Sequence, residues 1–329
     1  GDNQTHTKCV SEKRAFKSLF LEIAYCLITN HQSLITNLKK LVVIAGPTAS
    51  GKTALAVRLA RQLETEILSC DSRQFYRELR IGVARPSDDE LAAAAHHFIA
   101  CRSVTQPYNV SQYEDEALAL LDRLFKSHDT VVAVGGSGLY IDALCTGMAR
   151  MPDPAPELRA QLKQTIAEEG LEPLCRRLKQ LDPDYYSRCD LRNPVRVQRA
   201  LEVMLTTGRP YSQVVAQKPA PRRFSISKLA IALDGEELRR RIEERTDSMF
   251  ADGLADEARG LLPYRGLQPL NTVGYKELFA YFDGRCTLDE ARQMIKRNTW
   301  RYARKQLTWL RRYNDIQWLR VQDGNWIIG

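Results

Sequence analysis

Hydrophobic positions in this chain fall into two textures. Residues 41–45 (LVVIA) form a continuous apolar run that stops at Gly46. Such a run predicts a strand buried on both faces, and hence a parallel sheet. Helical spacing follows over 53–63, then a short strand over 66–70, helical spacing over 113–126, and a third strand over 130–134 ending at Gly135 and Gly136. Strands alternating with helices predict a doubly wound βαβ arrangement. A further apolar stretch over 228–233 reads as a late strand of the same sheet. Between 151 and 227 the texture changes. The prolines of 151–156 (MPDPAP) disfavour continuous helix, and helical patterns then run over 157–169, 172–181 and 194–207, stopping at Gly208, Arg209 and Pro210. After Leu233 the chain is mostly helical, to a final segment over 318–328. Residues 1–40 are expected to form an extension outside this fold, partly helical.

These elements divide the chain into an extension (1–40), the first part of an α/β core (41–150), a helical insertion (151–227) and a completion of the core with basic helices (228–329). A length of 329 residues suits one core with a large insertion. No apolar run reaches the ~20 residues of a membrane helix, and no internal repeat is evident. Neither a clean signal peptide nor an Arg/Ser-rich transit segment precedes residue 40. The eight cysteines are scattered without a C-x-x-C pair, which argues for reduced thiols and against a zinc site of closely spaced thiolates. A net charge of +8 suits a polyanionic partner without proving one.

The chemistry begins at residues 46–53, GPTASGKT, which match G-x-x-x-x-G-K-[ST] between a buried strand and a helix. Glycines there let the backbone wrap around phosphate oxygens. Gly46, Pro47, Thr48, Ala49, Ser50, Gly51, Lys52 and Thr53 are thus expected to bind a phosphate or diphosphate. Lys52 adds charge, Thr53 offers a hydroxyl to Mg²⁺, and the helix N-terminus adds its dipole. The fold class expected is α/β, a P-loop NTPase-like parallel sheet with a helical insertion. An ATPase or GTPase usually supplies a second Mg²⁺ ligand, an Asp closing a later strand. Here the third strand closes on Gly135, Gly136 and Ser137, and no N-K-x-D motif is present, so motor and switch readings lose ground. Asp71, closing the second strand, should face the loop. A carboxylate there could ligate Mg²⁺, accept a proton or cap a following helix.

Several motifs taken together resemble the tRNA dimethylallyltransferases. They are GPTASGKT (46–53), DSRQFY (71–76) with IGVARP (81–86), VGGSGLY (134–140), NPVRVQRALEV (193–203), NTVGYK (271–276) and RKQLTWL (304–310). The resemblance spans about residues 41–318, in the family's order. It implies transfer of a dimethylallyl group from its diphosphate to the exocyclic amine of the adenosine 3′ of the anticodon. The loop would then hold a diphosphate leaving group, with Mg²⁺ as cofactor, and Asp71 would be the base. Ser137 stands where many members have Thr; either hydroxyl suits the site. Arg241 and Arg245, one helical turn apart, would reach the diphosphate, although Glu236, Glu237, Glu243 and Glu244 are interleaved and a solvated helix face fits nearly as well.

The resemblance also implies an RNA path lined by Asp71, Ser72, Arg73, Gln74 and Ser137. Val195, Arg196, Val197, Gln198, Arg199, Asn271, Thr272, Val273, Gly274, Tyr275 and Lys276 continue it, and Arg159 adds a contact from the insertion. Charge agrees in part. Arg192, Arg196 and Arg199 share one helix face, and residues 151–228 hold fourteen Lys/Arg against nine Asp/Glu. Residues 296–312 hold seven basic residues and no acid, interspersed with Trp300, Tyr302 and Trp309; an amphipathic core helix explains part of this, with Leu307 and Trp309 mostly core. His96 and His97 lack metal-ligand spacing to a third group and read as a packed or solvated pair. The chain as given carries no zinc finger of the kind some eukaryotic members append, which favours a bacterial or organellar type. It is expected to be cytoplasmic (organellar if eukaryotic) and monomeric, with the tRNA anticodon stem-loop and dimethylallyl diphosphate as partners and no membrane association. The alternatives are an adenylate isopentenyltransferase acting on free nucleotide, a P-loop kinase for a small metabolite, and an RNA-binding P-loop protein without activity.

Overall fold

Strand β1 (Lys40–Ala45) is central in a seven-stranded sheet of order β3 (His96–His97), β2 (Ile67–Ser69), β4 (Thr130–Gly135), β1, β5 (Ser225–Ile231), β6 (Ile316–Gln322), β7 (Asn325–Ile328). Every pairing among the first six is parallel, and β7 runs antiparallel to β6. The computed structural model describes residues 39–217, 220–322 and 325–328. The expected N-terminal extension thus lies outside the described residues except for Lys39 and Lys40, and Lys40 belongs to the sheet. Leu41, Val42, Val43 and Ile44 are completely buried, as a doubly covered strand requires. Leu41, Val43 and Ala45 join the core that contains Tyr113, Ile141 and Leu278. Val42 and Ile44 point to the other face, against Leu55, Ala56 and Leu59 of helix α1 (Lys52–Gln62).

Along the sheet-containing unit follow α2 (Asp88–Ala93), α3 (Val110–Leu124) and α4 (Gly138–Cys145). Helix α3 starts three residues before the expected pattern because Asn109 and Gln112 form a reciprocal cap at its N-terminus. The chain then enters a separate compact unit, Thr146–Pro221. Its helices are α5 (Pro156–Glu169), α6 (Glu172–Leu181), α7 (Pro183–Arg188), α8 (Pro194–Thr207) and α9 (Tyr211–Val215). Leu162, Leu174, Leu178, Val197, Leu201 and Met204 form a core of their own. This unit begins and ends earlier than the expected span of 151–227, since residues from Ser225 onward are already in β5.

Arg222 begins the return to the sheet unit. Its Nε donates to the Leu144 carbonyl at 3.0 Å and its Nη2 to the Ala143 carbonyl and to Glu114 Oε1 at 2.8 Å. A guanidinium on the last carbonyls of α4 satisfies groups that a helix end leaves open, and the Glu114 carboxylate balances its charge. The rest of the sheet unit contains α10 (Gly235–Ala251), α11 (Leu254–Gly260), α12 (Tyr275–Phe282) and the long α13 (Leu288–Leu310). One basic helix, α13, therefore stands where basic helices were expected.

Candidate active site

Sheet register brings three sequence-distant segments to one edge. Ala45 pairs with Gly135 and Ser69 with Val134, so β1, β2 and β4 end side by side. The Cys70 N–H continues the ladder to the Val134 carbonyl at 2.7 Å. The loop 46–53, Asp71 and Ser137 accordingly meet at the carboxyl ends of the strands, where open α/β sheets hold their ligands. A cavity of about 450 Å³ opens there. It is lined by Thr48, Lys52, Thr53, Asp71, Arg245 and Gln306, and on the far side by Val83, Asn271, Val273 and Ile295. All of these residues belong to the sheet unit.

The loop itself is strained in the way a phosphate cradle is. Ala49 and Gly51 have φ of 64° and 84°, the left-handed conformations with which such a loop curls. The Ser50 hydroxyl is buried without a hydrogen-bond partner. Lys52 Nζ folds back on the Pro47 carbonyl at 3.2 Å. From α10, Arg245 donates to the Thr48 hydroxyl. Burial lowers Lys52 to about 8 and Arg245 to about 10, while the Asp71 carboxylate pulls both back upward. Two desolvated cations facing one carboxylate make a site short of negative charge, which a diphosphate supplies.

A sign follows for pH. Lys52 is an ammonium below about 8 and loses its charge above it. Affinity for inorganic pyrophosphate is therefore expected to weaken from about pH 7 to about pH 9, with a proton taken up on binding as the ligand restores the ammonium. Titration calorimetry in buffers of different ionisation enthalpy measures this, with Lys52→Met as the reference that lacks it. Equal pH dependence in both proteins would contradict the assignment.

Asp71 caps no helix. Its Oδ1 accepts the Arg73 N–H at 2.9 Å in a tight turn, and residues 72–80 contain no helix, so the capping reading is overturned. Ser137 Oγ accepts the Ser72 N–H at 3.1 Å and pairs with the Ser72 hydroxyl at 3.2 Å, tying the ends of β2 and β4 together. Tyr302, on α13, lines the same cavity with 41% of its surface exposed; burial at its hydroxyl end pushes the phenol up to about 12, against hydrogen bonds to Ser137 and Gln306.

The far wall is fixed by a residue the sequence did not single out. Glu257 of α11 accepts the N–H groups of Arg80, Ile81 and Gly82 at 3.1, 2.8 and 3.0 Å and the Tyr275 hydroxyl at 2.7 Å. A side chain on Gly82 would stand 2.6 Å from the Tyr275 ring, so the loop and α12 interlock. Gln74 Nε2 donates to the Ala84 carbonyl at 2.9 Å and holds the next turn. Replacing Glu257 by Ala removes one acceptor shared by three N–H groups. The substitution is expected to lower unfolding free energy by about 2–3 kcal/mol in urea denaturation. No measurable change would show that the loop finds other partners.

Not every expected residue arrives at the cavity. Arg245 does, whereas Arg241 Nε is paired with Glu237 at 2.6 Å and only its guanidinium edge approaches Gly51. Asn271, Thr272, Val273, Gly274 and Lys276 line the cavity. Tyr275 is wholly buried, as is Val197 in the core of the unit Thr146–Pro221, so neither presents a side chain to RNA; both are corrected to structural residues. In that unit Val195 is 73% exposed and Arg196 is exposed. Arg159, Gln198 and Arg199 converge instead on the buried Glu202 at 3.1, 2.8 and 3.5 Å. Trp309 is half-buried and its indole leaves no room for a side chain at Gly138, while Leu307 packs beside Leu238 and Ile242. His96 bonds the Ala94 carbonyl and His97 bonds Glu66, and among the described residues no cluster suited to a metal ion occurs. No described helix is long and apolar enough to cross a membrane.

With this geometry in place, comparison with known proteins decides the family. A family model described as IPP transferase matches residues 74–313. A tRNA dimethylallyltransferase of Christiangramia forsetii is 46% identical over 285 residues, covering 87% of this chain and 94% of that one. The chain belongs to this family. A second tRNA dimethylallyltransferase, from Bacteroides thetaiotaomicron, is 46% identical over 282 residues, covering 86% of this chain and 92% of its own length. Among solved structures, the tRNA isopentenylpyrophosphate transferase of Bacillus halodurans aligns with a TM-score of 0.63 at 32% identity, over 87% of this chain and 92% of that one. A eukaryotic dimethylallyltransferase described as acting on tRNA aligns at 0.74 over 87% of this chain and 74% of that one; at 23% identity it speaks for the fold. The IPP transferase fold is P-loop NTPase-like, as its loop and sheet order required.

Proposed function

We propose that this IPP transferase-family chain moves a dimethylallyl group from dimethylallyl diphosphate to the exocyclic amine of the adenosine 3′ of a tRNA anticodon, releasing diphosphate. One observation carries the reading. A phosphate cradle with two desolvated cations, Lys52 and Arg245, opens into the same cavity as the Asp71 carboxylate. Nothing need be hydrolysed at such a site. The allylic C–O bond breaks and its electron pair leaves with the diphosphate, whose growing charge Lys52, Arg245 and the loop amides stabilise. The amine nitrogen bonds to the allylic carbon and its proton passes to Asp71, whose turn hydrogen bond to Arg73 keeps the carboxylate aimed. Ser137 and Ser72 hold the target base or the diphosphate at the rim.

Mg²⁺ fits the donors present. The Thr53 hydroxyl is a hard oxygen lining the cavity and would hold the ion, which would neutralise charge on the leaving diphosphate. Asn271, Thr272, Val273, Gly274 and Lys276 contact the RNA around the flipped base, and Arg196 and Val195 contact it from the unit Thr146–Pro221. The protein acts as a monomer, in the cytoplasm.

The test is release of diphosphate by purified protein supplied with dimethylallyl diphosphate and Mg²⁺. Release that requires unmodified tRNA supports the reading. Release that AMP supports equally well assigns the chain to the free-nucleotide class.

A further inference from the structure

The residue that shapes the phosphate loop lies 258 positions away from it in sequence. Gln306 Oε1 accepts the Thr48 N–H at 2.9 Å, and Gln306 Nε2 donates to the Gly136 carbonyl at 2.9 Å. Its side chain is 6% exposed, so both bonds are dry and expensive to lose. No side chain fits at Gly136, because the Gln306 amide and the Gly46 carbonyl already fill that space. One carboxamide therefore spans the turns that follow β1 and β4, and does so from a helix whose neighbouring residues Arg301, Arg304 and Lys305 are exposed cations. On α13 Gln306 falls between Ala303 and Leu310, the buried stripe where an apolar residue would ordinarily stand. A buried amide at such a position is retained for what it holds.

We propose that Gln306 is a positioning residue that sets the diphosphate loop in its binding shape from α13, the helix that carries these exposed cations. Gln306 is neutral and touches the loop backbone at Thr48, whose hydroxyl is taken by Arg245, so Thr48 is held from two helices at once. Without the carboxamide, the Thr48 N–H and the Gly136 carbonyl lose their partners. The loop then relaxes toward whichever partner it can find, and the cradle that the cations complete is no longer preformed. The inference rests on the prenyl-transfer reading only for its kinetic part, because pyrophosphate binding is measured without turnover.

The experiment compares wild type with Gln306→Met, which keeps length and charge but has no amide, and with Gln306→Asn, which keeps the amide but is one methylene too short to reach both partners. Inorganic pyrophosphate is titrated calorimetrically, anticodon stem-loop RNA binding is measured separately, and steady-state kinetics follow. Both variants are expected to bind pyrophosphate about tenfold more weakly, as the loss of two buried hydrogen bonds implies. The KM for dimethylallyl diphosphate should rise in parallel, while RNA affinity stays within about twofold because the exposed cations are untouched. Unchanged pyrophosphate affinity in either variant overturns the proposal. So does an equal loss for pyrophosphate and RNA together with a lowered melting temperature, which would make Gln306 a general packing residue. Failure of the wild type to transfer a prenyl group would sink the functional reading while leaving the calorimetric comparison intact.

Discussion

Asp71→Asn is expected to lower turnover by about 10²–10⁴-fold, the range that a general base contributes, with pyrophosphate and tRNA affinities unchanged. Asn can still accept the Arg73 N–H that Asp71 Oδ1 accepts at 2.9 Å, so the turn after β2 survives. What it cannot do is receive a proton from the amine. Asp71→Ala loses the turn bond as well and should add a loss of substrate affinity on top of the loss of chemistry. The pair separates two roles that one carboxylate performs. If Asn and Ala weaken tRNA binding as much as they slow turnover, Asp71 is an RNA contact and the base lies elsewhere.

Lys52→Met is expected to cost about 10²–10³-fold in kcat, the penalty for removing one preorganised group from a developing anion. The magnitude comes from burial. Desolvation that lowers Lys52 to about 8 also strengthens its attraction for a leaving diphosphate, because the same low-dielectric surroundings act on both. The KM for dimethylallyl diphosphate should rise less than kcat falls, since Arg245 and the loop amides still bind the ground state. Single-turnover kinetics separate the two quantities. A rise in KM with kcat intact would mean that Lys52 binds substrate and transition state equally.

What the sequence revealed was whatever is written locally. GPTASGKT, the apolar run before it and the glycines closing β4 each carry their meaning within a few residues, and the parallel register then brings them together without further instruction. Helices α6 and α8 begin and end where their periodicity, prolines and Gly208 put them. Gln306 was missed because its partners lie 258 and 170 positions away, and Glu257 because the three N–H groups it accepts lie more than 170 positions away. Gln306 did leave a trace, a polar residue on a buried stripe of α13.

The opposite error is as instructive. Val197 and Tyr275 sit inside contiguous motifs whose resemblance implies RNA contacts along their length, yet both are completely buried. For Val197 helical period gives the correction, since Val197, Ala200, Leu201 and Met204 fall on one face and form the core of their unit. For Arg159 and Arg199 the resemblance implies RNA contacts, whereas Glu202 already holds both. Net positive charge overstates a binding face wherever a buried acid gathers the arginines.

The measurement that bears most directly on the central claim is transfer of isotope from labelled dimethylallyl diphosphate to unmodified tRNA, with AMP and with ATP plus small metabolites as competing acceptor systems. Label should appear in tRNA, and nuclease digestion should return it as an adenosine prenylated on its exocyclic nitrogen from the position 3′ of the anticodon. Label in AMP but not in tRNA, or phosphate transfer from ATP in place of prenyl transfer, would contradict the account.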